Sequence, residues 1–430
     1  MKNYLLLLLI VFTISACSQK DIEKTAIPLS IIPQEKSGMS GERLARIDSM
    51  LKEAVAANKI PGAVALISRN GRIVYHKAFG MADNESGKIM KPDDIFRIAS
   101  QTKAITSTAV MILWEEGKFR LDDPISSYIP EFKNPKVFKS FNPKDSSYTT
   151  VPAKSEITIR QLINHTSGIG YGVIDGDERF KMIYHKAGII DAFTTEDVSI
   201  GENIRKLAKM PLHHNPGQKF TYSEGLDVLG YFCEIISGMP FDVFLRTRIF
   251  DPLGMNDTWF YLPDDKVNRL VSVQYMVEGK WKRYPDTFYR TDYPVSGAKR
   301  FFAGGAGLSS TAKDYGAFLQ MYLNGGELNG RRILSPTTIR FMMSNQNNDI
   351  WGDDAENYYA LAFSVLTERG QARGGQGSTG TFGWGGYFNT VYFADPRENT
   401  IGILMKQTQD TNNDDTEWKF RILVGQAIEQ

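Results

Sequence analysis

Apolar residues recur at helical spacing where the folded part of the chain begins, near Ser40. Four of them lie three or four positions apart with charged residues between them: Leu44, Ile47, Leu51 and Val55. This spacing predicts an amphipathic helix over residues 41–58, capped by Ser40. Two apolar runs follow, GAVALIS and IVYHKAFG, on either side of Asn70-Gly71. That dipeptide favours a two-residue turn, so the runs are predicted to pair as a hairpin.

Helical patterns then dominate from about residue 100 to 262, interrupted by prolines. Short strand-like runs return after Asp354, in YYALAFSVL, YFNTVYFAD and TIGILMKQ. A last helix is predicted from Glu417 to Ile428. Its apolar face is predicted to carry Trp418, Ile422 and Leu423.

Strands at both ends of the chain with helices between them predict the fold class. We expect a mixed α/β (α+β) protein with one antiparallel sheet, built from the N- and C-terminal segments and flanked by helices. The sheet segments are placed at about 39–98 and 300–430. A large, mostly helical insertion is placed at about 120–290.

The chain has almost no net charge. Its 430 residues include 50 Lys and Arg against 49 Asp and Glu, and no long block has one sign. Nucleic-acid surfaces concentrate basic residues, so no nucleic-acid partner is expected. With 42% hydrophobic residues, the chain is long enough to bury a large core.

The N-terminus has the pattern of an export signal. Lys2 precedes an apolar run from Leu5 to Ile14, which is too short to span a bilayer as a helix. The small residues before Cys17 resemble a bacterial lipobox, which would make Cys17 a lipid-attachment site and the protein a periplasmic or cell-surface lipoprotein. An ordinary signal peptide with a chance cysteine is the alternative. The chain is predicted to divide into a lipoprotein signal at 1–17, a tether at 18–38 and a folded domain at 39–430.

No metal or organic cofactor is expected. The other cysteine, Cys233, lies in the apolar stretch LGYFCEII and is predicted to be a buried small residue. His165, His213 and His214 follow no metal-binding spacing, and loop histidines most often face solvent or pack against neighbours.

One serine has the setting of a nucleophile. Ser100 precedes Lys103 by three residues, so on a helix the ammonium can reach the hydroxyl and activate it. The same spacing occurs at Ser49, Ser296 and Ser310. Only Ser100 opens a long helix poor in charge, TKAITSTAVMILW, as a buried helix presenting its first turn to a cleft would. A purely structural role for Ser100 stays open on spacing alone.

Several segments in order resemble the serine beta-lactamase-like family, which includes class C beta-lactamases, D,D-peptidases, D-aminopeptidases, and related esterases and transesterases. They are IPGAVALISRNGRIVYHKAFG, FRIASQTKAITS, ITIRQLINHTSGIGYG, NPGQKFTYSEGLDVLGYF, FDPLGMNDT, GGAGLSSTAKDYGAFLQMYLNGG and FGWGGYFNTVYFADPRENTIGILMKQ. The resemblance implies a beta-lactamase/transpeptidase-like fold. It also implies that Ser100 is the nucleophile, that Lys103 is the base, and that Tyr222, in TYSEG, carries the proton.

Two departures from the family pattern bear on the substrate. Glu224 stands where the family usually has an Asn that contacts substrate, and a carboxylate cannot donate hydrogen bonds. Glu224 then either faces away or meets a cationic substrate group. The family's Lys-Thr-Gly strand motif appears as Trp384-Gly385-Gly386, as in the esterase-like branch. By family analogy, the backbone N–H groups of Ser100 and Tyr387 form the oxyanion hole.

These residues predict an exported serine hydrolase or acyltransferase that works through an acyl-serine intermediate, on esters or related small acyl substrates. Without a cation at Trp384, nothing at that position pairs with the carboxylate of a penicillin or a peptidoglycan peptide. A D,D-peptidase or beta-lactamase acting on such compounds is therefore the first alternative. The second is a non-catalytic binding or sensing lipoprotein.

Overall fold

The computed structural model of the protein describes residues 29–30, 38–287, 289–352, 354–409 and 413–429. Cys17 and the rest of the predicted signal lie outside these residues, as does most of the predicted tether. The strands are β1 Gly62–Arg69, β2 Arg72–Asp83, β3 Lys88–Ile89, β4 Phe96–Arg97, β5 Lys136–Asn142, β6 Ser147–Pro152, β7 Gln274–Val277, β8 Lys280–Arg283, β9 Ser309–Ser310, β10 Glu327–Leu328, β11 Arg331–Arg332, β12 Asn357–Tyr359, β13 Ser364–Leu366, β14 Phe382–Gly386, β15 Thr390–Asp395 and β16 Thr400–Met405. The helices are α1 Gly41–Ala56, α2 Thr102–Glu115, α3 Ile159–Ile163, α4 Glu178–Ala187, α5 Ile200–Leu207, α6 Gly225–Ser237, α7 Phe241–Leu245, α8 Asp251–Leu253, α9 Tyr293–Ser296, α10 Ala312–Leu323, α11 Pro336–Met343, α12 Asn348–Trp351, α13 Glu368–Ala372 and α14 Thr416–Gln426.

The main sheet has eight strands in the order β12-β13-β14-β15-β16-β1-β2-β3. Neighbouring strands are antiparallel throughout. The halves from the two ends of the chain join where β1 pairs with β16, from Val64 opposite Met405 to Arg69 opposite Thr400. The predicted fold class is therefore confirmed. The predicted hairpin is also present, and its turn has φ of 52° at Asn70 and 75° at Gly71, as a two-residue hairpin turn requires.

Helices cover both faces of the sheet, which is why β1 is buried along its whole length. On one face, α1 and α14 pack with Ala63, Ala65 and Ile67. On the other, α10 packs against β1, and the same core continues to α2 and α6. Leu29 is buried in this second core, and the carbonyl of Ser30 accepts a hydrogen bond from the amide of Ile73.

The face that the final helix turns inward agrees only in part with the predicted one. Phe420 and Val424 are its buried apolar residues, whereas Trp418 and Ile422 are 50% and 47% exposed. The prediction was wrong for Trp418 and Ile422, because two apolar stripes lie side by side on α14, whereas Leu423 is partly buried and packs against the core as predicted. The pair four residues apart, Phe420 and Val424, is the one that reaches the core of α1 and the sheet.

Within the described residues, no single helix is long and apolar enough to cross a bilayer. One bent pair satisfies the test by length and composition: α6 and the helical stretch Phe241–Leu253, which meet at 81°. Four apolar residues of α6 are completely buried in the core: Leu226, Val228, Leu229 and Phe232.

Candidate active site

Ser100 lies in a tight helical turn, Ala99–Gln101, that leads directly into α2. From Asp94 to Leu113, every residue is buried except Ser100, which is half-buried. The turn thus exposes one hydroxyl at the end of a helix that is otherwise enclosed by the core. This is the setting that the sequence predicted for the nucleophile.

The backbone just before Ser100 is strained. Ala99 has φ of 43°, in the left-handed region that residues with a side chain rarely adopt. Such strain persists only where the surroundings impose it, and it is frequent at active sites. Because α2 begins at Thr102, the positive end of its dipole lies beside Ser100 and favours negative charge there.

Lys103 is a buried lysine whose hydrogen bonds go to neutral oxygens. Its side chain is among the largest that the core encloses completely. The ammonium Nζ donates to the phenol oxygen of Tyr171 at 2.8 Å and to the carbonyl of Gly305 at 2.8 Å. It also lies 4.6 Å from the centre of the Tyr222 ring. The structure therefore brings together the Lys103 and Tyr222 side chains, which are more than a hundred residues apart in the chain.

Tyr222 is half-buried and is held between aromatic neighbours. Its phenol oxygen accepts a hydrogen bond from Trp384 Nε1 at 3.3 Å. Its ring stacks on that of Tyr171, with centroids 5.6 Å apart, and packs against that of His165 at 4.6 Å. Trp384, predicted to contact substrate, thus contacts Tyr222 directly.

β14 lies against the turn that carries Ser100. A side chain at Gly386 would start 2.5 Å from the carbonyl oxygen of Ile98, so only glycine permits this approach. Tyr387 follows, and its carbonyl accepts a hydrogen bond from Gln409 Nε2 at 2.8 Å. This close approach suits the predicted pairing of the Ser100 and Tyr387 N–H groups in an oxyanion hole, which remains a prediction.

Two functional candidates, Tyr171 and Asp227, escaped the sequence reasoning. Tyr171 binds Lys103, and its own amide is held by Asp175 Oδ2 at 2.9 Å. Asp227 Oδ1 accepts from the amide of Gly305, the residue whose carbonyl binds Lys103. Burial raises the pKa of Asp227 to about 6, against the opposing effect of the Lys103 charge. A sequence signal existed for Asp227, which is the lone acidic residue in the apolar first turns of α6, GLDVLGYF.

Glu224 is buried against another carboxyl group. It is 1% exposed, and its carboxyl group hydrogen-bonds to that of Asp191. Burial, followed by the charges of Asp191 and Asp227, raises the pKa of Glu224 well above its usual value. Two carboxyl groups can share a hydrogen bond only if one is protonated, so Glu224 acts as a neutral acid that donates to Asp191. The geometry thus favours the alternative in which Glu224 faces away from substrate.

The three loop histidines differ in their surroundings. His165 is completely buried against Tyr222, rather than facing solvent. His213 pairs with Asp175 at 3.0 Å and stacks on Phe180, while His214 Nε2 bonds to the hydroxyl of Thr221. Among the described residues, no group of three or more His, Cys, Asp or Glu is arranged to hold a metal ion.

The family to which this chain belongs is identified by its match to a known family of proteins. The sequence pattern of the family described as Beta-lactamase matches residues 47–427. The chain belongs to the beta-lactamase family. This confirms the resemblance inferred from the ordered motifs.

Relatives in the beta-lactamase family indicate the type of enzyme. Esterase EstB of Burkholderia gladioli is 37% identical over 216 residues, which are 50% of this chain and 51% of EstB. The structure of EstCE1, a hydrolase with promiscuous acyltransferase activity, matches with a TM-score of 0.75 and 26% identity over 90% of this chain and 99% of EstCE1. A penicillin-binding protein homologue from Caulobacter crescentus, 19% identical with a TM-score of 0.65 over 90% of this chain and 98% of its own, shares the fold. The predicted class, a carboxylesterase-like serine hydrolase or acyltransferase, is thereby confirmed.

The two glycines of β14 provide a matched test of the site. An alanine at 386 would place its Cβ 2.5 Å from the Ile98 carbonyl and 2.3 Å from Thr390 Oγ1, whereas at 385 the nearest atom is 3.4 Å away. We therefore expect Gly386→Ala to lower kcat/KM at least about a hundredfold by moving β14 away from Ser100, and Gly385→Ala to lower it much less. Steady-state ester hydrolysis by the two folded variants is the measurement. Equal losses in both would contradict this account of β14.

Asp227 makes a prediction about pH. The pKa of Asp227 is about 6 in the folded protein and 3.8 ordinarily. As the pH rises from about 4 to above 6, ionisation of the buried carboxyl lowers the stability of the fold, and at higher pH the full loss of stability is present. Asp227→Asn removes a cost of up to about 3 kcal/mol. The melting temperature of Asp227→Asn minus that of the unchanged protein should therefore be larger at pH 8 than at pH 4. We also expect its kcat to fall about tenfold, because a negative charge near Lys103 is lost. Calorimetry at both pH values tests this, and a pH-independent difference in melting temperature would rule it out.

Proposed function

We propose that the protein hydrolyses esters of uncharged acyl groups through a covalent acyl-enzyme on Ser100. The observation that carries this proposal is the burial pattern around the nucleophile. Ser100 is the one accessible residue between Asp94 and Leu113, and the buried Lys103 ammonium contacts the ring of Tyr222. The proposal places the Ser100 hydroxyl within reach of both groups, as an activated serine needs.

The proposed reaction has two steps. Ser100 Oγ attacks the ester carbonyl, and its proton passes to Tyr222, which acts as the base in its phenolate form with the Lys103 ammonium 4.6 Å from the centre of its ring. The backbone N–H groups of Ser100 and Tyr387 stabilise the oxyanion until the bond to the leaving oxygen breaks and Tyr222 returns the proton to it. Water then attacks the acyl-enzyme by the reverse proton route and releases the acid, or an alcohol takes the acyl group instead.

An uncharged acyl group is favoured by what surrounds the nucleophile. Trp384 stands where related enzymes place a cation, and its indole packs on Tyr222 and Tyr359. Tyr387, the residue that follows β14, is also aromatic. Its ring lies about 6 Å from those of Phe193 and Tyr289. Aromatic walls bind apolar acyl chains and supply no cation to pair with a carboxylate.

Two other functions remain as candidates. A D,D-peptidase or beta-lactamase is disfavoured by the missing cation at Trp384, and labelling of Ser100 by a fluorescent penicillin at low concentration would support it. A non-catalytic binding lipoprotein is disfavoured by the half-buried Ser100, which lies one helical turn before the buried Lys103. Stable acylation of Ser100 without release would support that function.

We further propose that the protein is exported and lipid-anchored through Cys17. The support is the sequence pattern of a short apolar run followed by small residues and Cys17. In a bacterial host, the unchanged protein should enter the membrane fraction and incorporate labelled palmitate. Cys17→Ala should do neither, and an unchanged membrane fraction for that variant would contradict the anchor.

The catalytic proposal predicts a specific loss. The full-length protein in mild detergent should hydrolyse p-nitrophenyl acetate or butyrate with an initial burst equal to the enzyme concentration. Ser100→Ala should lose at least about a thousandfold in kcat, because it removes the attacking oxygen. Ser49→Ala is the matched control, since Ser49 also precedes a lysine by three residues but lies exposed on α1. Equal activity in Ser100→Ala and the unchanged protein would refute the proposal.

A further inference from the structure

His165 lies at a backbone position where glycine is usual. It follows the end of α3 with φ of 59°, and the next amide, of Thr166, bonds back to the carbonyl of Gln161 at 2.9 Å. This hydrogen bond closes a helix C-terminus whose left-handed residue is most often glycine, because a side chain there costs steric energy. The chain accepts that cost at position 165, which suggests that the imidazole is needed.

The contacts of His165 lie on both sides of Tyr222. Its carbonyl accepts a hydrogen bond from the amide of Thr221 at 2.8 Å, and its Nδ1 accepts one from the amide of Ser223 at 3.2 Å. Its ring packs against the Tyr222 ring with centroids 4.6 Å apart. One residue thus fixes the backbone before and after the candidate base as well as the side chain between them.

These contacts require a neutral imidazole. Nδ1 lies 3.2 Å from the amide nitrogen of Ser223 and 3.0 Å from the hydroxyl oxygen of the same residue. An amide N–H can only donate, so in its hydrogen bond with that amide Nδ1 carries a lone pair and the ring proton is on Nε2. Burial, assisted by the charge of Lys103, lowers the pKa of His165 well below its usual value. The acceptor is therefore preserved over the pH range in which the enzyme is assayed.

We propose that His165 is a positioning residue for Tyr222. Its ring packs against the Tyr222 ring, its Nδ1 accepts a hydrogen bond from the amide of Ser223 and its backbone carbonyl accepts one from the amide of Thr221, and together these hold the phenol at the Lys103 ammonium. This inference rests on the proposed function, in which Tyr222 transfers the proton of Ser100. His165 itself touches no reacting atom. Its loss should slow the chemical step more than it weakens substrate binding, because the His165 ring packs against Tyr222 and Tyr359 rather than against Trp384 itself.

The test compares substitutions that differ in where they place an acceptor. Asn carries its amide oxygen near the position of Nδ1 and tolerates a positive φ, so His165→Asn should keep kcat within about fivefold. His165→Gln, whose oxygen cannot occupy that position, and His165→Leu, which has no acceptor, should both lose about thirtyfold or more in kcat with KM changed less than about threefold. His214→Leu is the control, since His214 holds the same loop through the Thr221 hydroxyl without contacting the Tyr222 ring, and its kcat should stay within about threefold.

Hydrogen–deuterium exchange separates this inference from the proposed function. The amide of Ser223 should exchange faster in His165→Gln and His165→Leu than in His165→Asn or the unchanged protein, because its acceptor Nδ1 is lost, whereas the amide of Thr221 donates to the backbone carbonyl of residue 165 and should change less. If the unchanged protein hydrolyses no ester, the proposed function fails, while the exchange rates still test the hydrogen bonds of His165. Should His165→Leu fail to fold, the Asn and Gln variants decide. Equal kcat in those two variants, or equal exchange in all, would overturn the inference.

Discussion

The structure of the site depends on a positive charge buried without a carboxylate as its direct hydrogen-bond partner. The ammonium of Lys103 is satisfied by the neutral oxygens of Tyr171 and Gly305, and the acid Asp227 stands one residue behind, bonded to the amide of Gly305. A carboxylate in direct contact would neutralise the cation locally. Holding it with neutral oxygens leaves its field acting on Tyr222 and on the end of α2. A charge enclosed in this way is stabilised only by a complete set of partners, which is why several chain segments converge on it.

The fold supplies those partners by joining the two ends of the chain. β1 and β16 pair at the centre of the sheet, which places β14, from the C-terminal half, beside the turn that carries Ser100. Gly386 permits the contact between β14 and this turn. The backbone of Ala99 is strained, and Ser100, which follows it, is the one half-buried residue in an otherwise buried stretch. The insertion between these parts contributes Tyr171 and Tyr222, so the site is complete only when sheet and insertion are packed together.

Features encoded locally could be predicted from the sequence. The Asn70-Gly71 turn, the helix that begins after Ser40 and the spacing of Ser100 and Lys103 depend on neighbours in the chain. The place of Tyr222 came from the family resemblance, since nothing local distinguishes it from another loop tyrosine. The resemblance also identified the strand motif at Trp384 and the enzyme class.

What could not be predicted depends on contacts between distant segments. Four side chains acquire their roles from partners up to about eighty residues away in the chain: Tyr171, Asp227, and the carboxyl pair of Glu224 and Asp191. The loop position of His165 gave no sign of its burial, which depends on the segment that carries Tyr222. The prediction for Trp418 and Ile422 on α14 was wrong for a related reason, because two apolar stripes compete on that helix and only packing selects between them.

The most direct test of the central claim is the mass of the protein and of its Ser100 peptide after rapid quenching with a short-chain p-nitrophenyl ester. The account predicts one acyl group on Ser100 in the unchanged protein, and none in Lys103→Met on the same timescale, because the hydroxyl then lacks the buried cation. An acyl group on any other residue, or equal acylation of Ser100 without the lysine, would contradict it.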